Sequence, residues 1–529
     1  MEVGALDADN DTLLADVFVD TGLLSKLLDP QHPWFLVVGR TGSGKTALLR
    51  EIERRNPQCR RLDPEELSMQ YLQNSQILRF LTALDINLGI FYRYLWRHVC
   101  VLEIARLRYT DLEPPGWIAK LFSRKEADAQ LAASAYVEKH ENYWITSEAC
   151  VKDVVDEVTN KLRNDVSGSM ALDRAAKVGI AGASSREVES HSRITSAQTK
   201  RVQEIVSSVL VTDLNKALEA LSGGGFKNKQ QHYFVLIDDL DKNWMPDDAL
   251  YIELIRCLLT SVRDINVKLP TVKIVVAVRE NIFQRVLQDP GRAPQREKWQ
   301  DYIAYVRWTR SELTEMLRQR VAVVLRDQYT EDPPSLQDLF PASSKKRRKK
   351  PEAIDYILDR TLDRPRDVIR FVNMAIENAT SSRSATGITW DGMRRIEKAY
   401  SEDRLLSLYD EWRDSYPFLP ALCEIPRKLG ARFARADLTD EVIQAVYQAE
   451  IPEGSEWLNQ LVDSADWRAK VLGVLVLVGV LGVKDTPADS VRYSWQTPHP
   501  ILGGSDGEKA VFYVHGVFHR ALGIADSAT

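Results

Sequence analysis

The strongest constraint on this chain is a glycine-rich turn that follows the apolar run 34–38 and ends in lysine and threonine. Its residues are Gly39, Arg40, Thr41, Gly42, Ser43, Gly44, Lys45 and Thr46. They match the P-loop pattern G-x-x-x-x-G-K-[ST]. Glycines let backbone N–H groups curl around phosphates without a Cβ in the way, and the following helix presents its positive end to the anion. The turn therefore predicts a strand–loop–helix unit that binds ATP at residues 39–46.

The last two residues of such a loop have separate tasks. Lys45 is expected to reach the β- and γ-phosphates of ATP, and the Thr46 hydroxyl is expected to ligate Mg²⁺. The alternative interpretation, a flexible glycine turn, does not explain why an apolar run precedes the loop and a helical pattern follows it.

A P-loop needs an acidic element to hold Mg²⁺, and a second apolar run supplies one. The run from Tyr233 to Ile237 is typical of a buried strand and is followed by Asp238 and Asp239. Asp238 is expected to hold the metal through water, and Asp239 to orient or deprotonate the attacking water. Adjacent carboxylates are tolerated more easily beside a cation, which favours a metal site over a plain turn. The alternative interpretation is that Asp239 and the nearby Asp241 are only turn or helix-cap residues.

A third apolar run, 272–278, ends in Arg279. A helix is predicted before it, at about 248–265, and strands that alternate with helices favour an α/β fold with a parallel sheet. Ligands of such sheets lie beyond the carboxyl ends of the strands. Arg279 is therefore expected to sense the γ-phosphate; the alternative is a surface arginine just past a strand.

Two helix starts follow the third strand. Thr309 and Glu312 have the spacing of a capping box. Further on, Arg364-Pro-Arg-Asp precedes an amphipathic helix predicted at about 367–379. Proline suits a helix start, where its missing N–H costs nothing, and Arg366 could bind phosphate there through two hydrogen bonds. An ordinary basic helix cap is the alternative interpretation of Arg366.

The other segments predict mostly helices. Residues 65–166 and 196–221 are mainly helical in pattern, which indicates a large helical insertion. The apolar run 471–483 is shorter than the ~20 residues of a membrane span and predicts a buried helix. Two short strands are predicted near 491–495 and 511–515. The predicted domains are 1–305, an ATPase core; 306–398, a helical lid; and 399–529, a C-terminal helical domain.

Charge and cysteine content limit the class of protein. Lys+Arg 70 against Asp+Glu 75 gives a net charge of −5, so no global basic field demands nucleic acid. The basic run 345–350 predicts a solvated loop, or else a nucleic-acid contact. The five cysteines are scattered, which argues against disulfides and thiolate zinc and fits a reducing cytoplasm. The acidic N-terminus lacks a signal-peptide pattern, and His515 and His519 lack the H-E-x-x-H zinc pattern.

Taken together, these blocks resemble bacterial P-loop ATPases of the STAND/KAP-like, AAA+-related class. The matching segments are 39–46, 237–244, 278–281, 308–320, 364–367 and 514–515. The resemblance implies an ATP-binding αβα core, a helical lid and a C-terminal winged-helix-like region. Such a region binds DNA in some proteins and protein in others, and the class implies a homo-oligomer or a protein partner.

The resemblance also implies roles for single residues. Arg279 resembles sensor 1 of that class, and Arg366 resembles sensor 2. Many AAA+ motors have Asp-Glu where this chain has Asp238-Asp239, and the shorter second side chain suits a slow switch. Arg285 and Arg292 are candidate arginine fingers.

The sequence thus predicts an NTPase that hydrolyses ATP to ADP and phosphate to drive or switch a conformational change. Its catalytic residues would be Lys45, Asp239, Arg279 and Arg366, with Mg²⁺ on Thr46 and Asp238. The alternative is an ATP-bound scaffold or sensor with negligible hydrolysis that recruits a protein or DNA partner, by analogy in phage defence or DNA transactions. A small-molecule kinase is disfavoured, because no acceptor site is recognisable.

Overall fold

The structure is a computed structural model that describes residues 2–62, 88–109, 124–140, 214–222, 232–238, 240, 248–288, 297–326, 336–341, 352–381, 387–449, 459, 466–484, 486, 488–496 and 510–525. The predictions for Asp239, Asp241, Arg292, the basic run 345–350 and most of the helical insertion lie outside these residues.

The chain divides into two compact units. The sheet unit consists of Gly22–Val38 and Leu48–Ala304, and the helical unit consists of Met1–Thr21, Gly39–Ala47 and Tyr305–Thr529. The P-loop therefore belongs to the helical unit. The predicted domain bounds stay a prediction, although the bound at 398 lies within a continuous helix, Trp390–Trp412.

The sheet unit is built on five strands in the order β2-β3-β4-β1-β5. They are β1 (Leu36–Gly39), β2 (Cys59–Leu62), β3 (Tyr233–Ile237), β4 (Val272–Arg279) and β5 (Ile303–Tyr305). β2 pairs with β3, and β3 with β4, in parallel. Every residue of β3 is buried, as expected for a parallel strand that is covered on both faces. The predicted α/β class and the predicted strand at 233–237 are confirmed.

The first helix associated with this sheet precedes β1, and the others lie between successive strands. These helices are α1 (Leu24–Leu28), α2 (Lys45–Arg55), α3 (Leu88–Tyr109), α4 (Arg124–His140), α5 (Asp248–Lys268), α6 (Glu280–Gln288) and α7 (Glu297–Gln300). α2 begins in the helical unit and continues into the sheet unit. α3, from the predicted insertion, packs on α5: the buried Trp96 indole donates to the Leu254 carbonyl at 3.0 Å. Arg97 and Asp264 close the same contact at 2.7 Å. The described part of the insertion is therefore helical.

The helical unit contains nine labelled helices and a small sheet within the residues described. They are α8 (Arg310–Arg326), α9 (Leu336–Leu339), α10 (Ala353–Leu358), α11 (Pro365–Ser381), α12 (Trp390–Trp412), α13 (Leu419–Leu422), α14 (Glu424–Leu429), α15 (Asp440–Gln448), α16 (Trp467–Val478), β6 (Arg432–Ala434), β7 (Leu481–Lys484) and β8 (Val511–Val514). The three strands are antiparallel in the order β6-β8-β7. One apolar core, which includes Phe371, Tyr400 and Leu475, joins these elements.

Both predicted helix starts in this unit are confirmed. The Thr309 hydroxyl and backbone N–H donate to the Glu312 carboxylate, each at 2.7 Å, and the Glu312 N–H returns a hydrogen bond to the Thr309 hydroxyl. This is the reciprocal pairing of a capping box. Pro365 is the first residue of α11, where it lacks only an N–H that a helix would leave unpaired.

The prediction of one buried helix at 471–483 is wrong for its last five residues, 479–483. α16 ends at Val478, and Gly479 takes a left-handed conformation at φ +93° before β7 begins. A Cβ on Gly479 would lie 2.6 Å from the Trp495 ring, so glycine is required by contact as well as by φ. The apolar run thus supplies a helix and a strand.

The predicted strand at 491–495 is also wrong. The segment forms one bridge, between Val483 and Arg492, and then a 3₁₀ turn at Ser494–Gln496. The Tyr493 and Trp495 rings stack with their centroids 4.7 Å apart. The predicted strand at 511–515 is confirmed as β8. Among the described helices, none is both long and apolar enough to span a membrane.

Candidate nucleotide-binding site

The P-loop connects β1 to α2 as the sequence predicts. β1 ends at Gly39 and α2 begins at Lys45, while Gly42 and Gly44 take the left-handed values φ +76° and +96°. The Lys45 ammonium donates to the carbonyl oxygens of Gly39 at 3.1 Å and Arg40 at 3.2 Å. The loop therefore curls around the lysine side chain ahead of the helix N-terminus, which is the arrangement that suits a phosphate group.

Arg366, the predicted second phosphate-sensing arginine, lies against the middle of this loop. Its backbone N–H faces the Gly42 carbonyl at 3.4 Å, and its Nε donates to the Leu6 carbonyl at 3.0 Å. Burial and the neighbouring Arg364 lower the pKa of Arg366 below its ordinary value. The structure thus brings together the P-loop, the start of α11 and the N-terminal segment, all within the helical unit.

The backbone of Thr41 is held on both sides by one buried ion pair. Arg364 Nη1 donates to the Thr41 carbonyl at 3.0 Å, and the Thr41 N–H donates to Glu411 Oε1 at 3.2 Å. Arg364 and Glu411 also bond each other at 3.2 Å, and their side chains are only 6% and 5% exposed. Glu411 lies outside the sequence motifs described above, and Arg364 is marked only as the first residue of Arg364-Pro-Arg-Asp.

A second buried carboxylate fixes Arg364 from behind. Asp367, fully buried, accepts from Arg364 Nε at 2.9 Å, from Arg404 Nη1 at 2.9 Å and from the Leu362 N–H at 3.1 Å. Burial alone would raise the pKa of Asp367, but the two arginines and the N–H hold it far below its usual range. Asp367 therefore stays ionised and keeps both guanidiniums in place.

Two more P-loop residues contact later parts of the chain. Arg40 donates to the Val478 carbonyl, at the end of α16, and its guanidinium lies 4.7 Å from the centre of the Trp495 ring. The Trp308 indole donates to the Ser43 carbonyl at 2.7 Å. The His515 ring lies edge-on to the Trp495 ring, with their centroids 5.5 Å apart. Burial, together with His519 and Arg40, lowers the pKa of His515 to about 3, so its ring is neutral at pH 7.

The predicted metal and sensor residues on the sheet are placed at strand ends. Asp238, 5% exposed, directly follows β3, and Arg279 is the last residue of β4 rather than the first residue after it. β1, β3 and β4 belong to the same sheet, and the parallel pair β3–β4 ends at one edge.

The donor set predicted for Mg²⁺ contains few protein ligands. No group of three His, Cys, Asp or Glu side chains suited to a metal occurs among the described residues. Mg²⁺ at nucleotide sites commonly uses one or two protein oxygens together with phosphates and waters. The Thr46 hydroxyl and the Asp238 carboxylate are oxygen donors of the kind such a site requires.

Comparisons with known proteins bear on part of the chain. Residues 311–409 match the family described as the FunZ-associated C-terminal helical domain, and this range runs from α8 into α12. No curated protein matches the chain. A Walker-type ATPase of Pyrococcus abyssi is a structural match with 11% sequence identity, 95% coverage of both chains and a TM-score of 0.33. At that TM-score the likeness carries no weight, so the P-loop interpretation depends on this chain's own residues and sheet.

Gly42→Ala should destabilise the helical unit by about 1–3 kcal/mol, because alanine resists a positive φ. Its Cβ would also lie 2.8 Å from Arg366 Cβ, so the loop or α11 must shift. Gly430→Ala is the matched control, since Gly430 has φ +83° and open space around the new Cβ. Thermal unfolding of both variants measures the difference, and equal losses would show that the contact with Arg366 is unimportant for stability.

Proposed function

We propose that this protein binds ATP with Mg²⁺ at residues 39–46 and hydrolyses it to ADP and phosphate. The observation that supports this most is the loop between β1 and α2, whose glycines take left-handed conformations and whose lysine begins the helix. A parallel sheet with an aspartate directly after a buried strand is the usual scaffold for such a loop. The proposed nucleotide-binding residues are those of the predicted P-loop.

The proposed roles follow from charge and position. Lys45 would exchange its bonds to the loop carbonyls for bonds to phosphate oxygens, and Arg366 and Arg279 would respond to the γ-phosphate. When bound, Mg²⁺ neutralises charge on the β- and γ-phosphates, with Thr46 and Asp238 as its protein ligands. Asp239 would orient the attacking water or accept its proton.

Asp239→Asn should preserve ATP binding and reduce phosphate release at least ~10²-fold, the range typical of a general base. The neutral amide keeps the side-chain size but is a poor proton acceptor. The measurement is phosphate release from purified protein with ATP and Mg²⁺, beside ATP affinity by calorimetry. A variant with wild-type turnover would remove Asp239 from the mechanism. If wild type binds ATP but releases no phosphate, the protein is a nucleotide-bound scaffold or sensor.

We further infer a winged-helix-like arrangement in the C-terminal part, with a lid made from the helices before it. The element order α14-β6-α15-α16-β7-β8 and the sheet order β6-β8-β7 support this. A DNA reader of this kind would need polar side chains on α16 to reach base edges. The basic side chains of α16 are Arg468 and Lys470 in its first turn, and Arg468 donates to the Leu438 carbonyl at 2.8 Å. Six later residues are buried in the unit's own core: Val471, Leu472, Val474, Leu475, Val476 and Val478.

The burial of α16 favours a protein partner or a second copy of the chain over DNA. We propose a cytoplasmic location, in line with the scattered cysteines. Phosphate release that is unchanged by added DNA, over a range of salt concentrations, is the expected result. Stimulation by DNA that weakens with salt would instead indicate phosphate-backbone binding.

A further inference from the structure

The backbone of Thr41, in the P-loop, is held by two side chains from later parts of the chain. Its carbonyl accepts from Arg364, its N–H donates to Glu411, and these two side chains bond each other. One ion pair therefore fixes both peptide groups that flank a single loop residue. Arg364 directly precedes α11 and Glu411 lies near the end of α12, so the pair joins two helices to the loop.

We propose that Glu411 and Arg364 are positioning residues, which clamp the P-loop in its phosphate-binding shape and so set the affinity for ATP. This inference rests on the proposed ATP-binding function. Neither residue needs to contact the nucleotide for the clamp to act. Loop residues lose backbone freedom when they bind a ligand, and a loop that is already held loses less.

Burial makes the clamp sensitive to loss of either partner. Burial opposes ionisation of Glu411, yet Arg364, Arg40 and the Thr41 N–H together lower the pKa of its carboxyl. A carboxylate that is stabilised in this way at a buried position forms stronger hydrogen bonds than an exposed one. The guanidinium of Arg364 is in turn held by Asp367, so both side chains of the clamp are fixed in position.

A second buried carboxylate on α12 provides a matched control. Glu397 is 2% exposed and bonds Tyr356 and Arg360, both outside the P-loop. Its removal should cost stability without altering the backbone of Thr41. Glu411 and Glu397 thus separate a general effect of a lost buried charge from a specific effect on the loop.

The test is the dissociation constant of the slowly hydrolysed analogue ATPγS with Mg²⁺, measured by calorimetry on the full chain. The melting temperature of each variant is measured as well. Glu411→Ala should raise the dissociation constant about tenfold, equivalent to about 1.4 kcal/mol. Glu411→Gln should recover most of the affinity, because its amide oxygen can still accept from the Thr41 N–H. Glu397→Ala should lower the melting temperature and keep wild-type affinity.

The outcomes distinguish this inference from the function on which it rests. Wild-type protein that binds no ATPγS overturns both. Wild-type protein that binds, together with a Glu411→Ala variant of equal affinity, overturns the clamp alone. An equal loss of affinity in Glu397→Ala also overturns it, since the effect would then belong to any buried charge on α12. If Glu411→Ala does not fold, the clamp is tested with Glu411→Gln alone. The dissociation constant of that variant must then lie between the wild-type value and ten times that value.

Discussion

Lys45→Ala should weaken ATP binding by about 100-fold and abolish phosphate release, because one charged hydrogen-bonding group contributes up to about 3 kcal/mol. The Lys45 ammonium lies within the curl of the loop, 3.1 Å from the Gly39 carbonyl and 3.2 Å from that of Arg40. Phosphate oxygens carry more negative charge than carbonyl oxygens and would replace them as acceptors. Alanine removes this charge and leaves the glycines and the helix N-terminus, which account for the residual binding.

The measurement is calorimetric titration with ATP and Mg²⁺, followed by a phosphate-release assay. Lys470→Ala is the control, since Lys470 is an exposed lysine on α16 and its loss leaves the P-loop intact. Both variants should melt close to wild type, because alanine is a good helix former at position 45. Wild-type affinity in Lys45→Ala would refute a phosphate-binding role for the loop and, with it, the proposed function.

The sequence predicts correctly those elements whose conformation is set by residues close to one another along the chain. The strand at 233–237 is predicted to the residue, since it is a continuous apolar run bounded by polar residues. The starts of α8 and α11 follow from a capping box and a proline, whose hydrogen-bonding consequences are contained within one helical turn. The P-loop was predictable because its spacing encodes its own backbone conformation.

The run 471–483 shows where such patterns fail. An apolar run without polar residues has neither the 3.6-residue nor the two-residue period, so a buried helix and a buried strand look alike. The break occurs at Gly479, but Gly473 and Gly482 lie in the same run, and the sequence alone does not distinguish them. Of the three glycines only Gly479 has a positive φ, and the turn it makes lies beside the Trp495 ring, sixteen positions later in the chain.

The candidate site was predicted only where a motif marked it. Arg366 was predicted near phosphate and lies against Gly42. Glu411 was missed because its partner Thr41 is 370 positions away. One signal was present: Glu397, Arg404 and Glu411 recur at seven-residue spacing on the buried face of α12. Charged residues on an apolar face must be paired, so this pattern indicates a buried polar network although it does not name the partners.

The second large effect is expected at the centre of that network. Asp367→Ala should destabilise the helical unit by about 3–5 kcal/mol, the cost of removing one member of a buried ion pair. Asp367 is fully buried and bonds Arg364 and Arg404, whose side chains are 6% and 7% exposed. Both arginines keep one further acidic partner, Glu411 and Asp403 respectively. The variant would therefore be weakened rather than unfolded outright.

The same carboxylate predicts a dependence of stability on pH. The pKa of Asp367 is depressed in the folded chain, so the folded state favours the ionised form. Its contribution is present above the unfolded pKa of about 4 and is lost as pH falls below it. The free energy of unfolding of wild type should fall as the pH is lowered below about 4, and that of Asp367→Ala should fall less over the same pH range.

Urea unfolding, followed by tryptophan fluorescence, measures both effects, with Asp391→Ala as the control. Asp391 is 85% exposed on α12 and pairs with Arg394 at 3.5 Å, so its loss should change stability by no more than about 0.5 kcal/mol. A change that small in Asp367→Ala would mean that Arg364 and Arg404 are satisfied without it. The network would then not be what holds α11 and α12 beside the P-loop, and apolar packing around Phe371 and Tyr400 would have to do so.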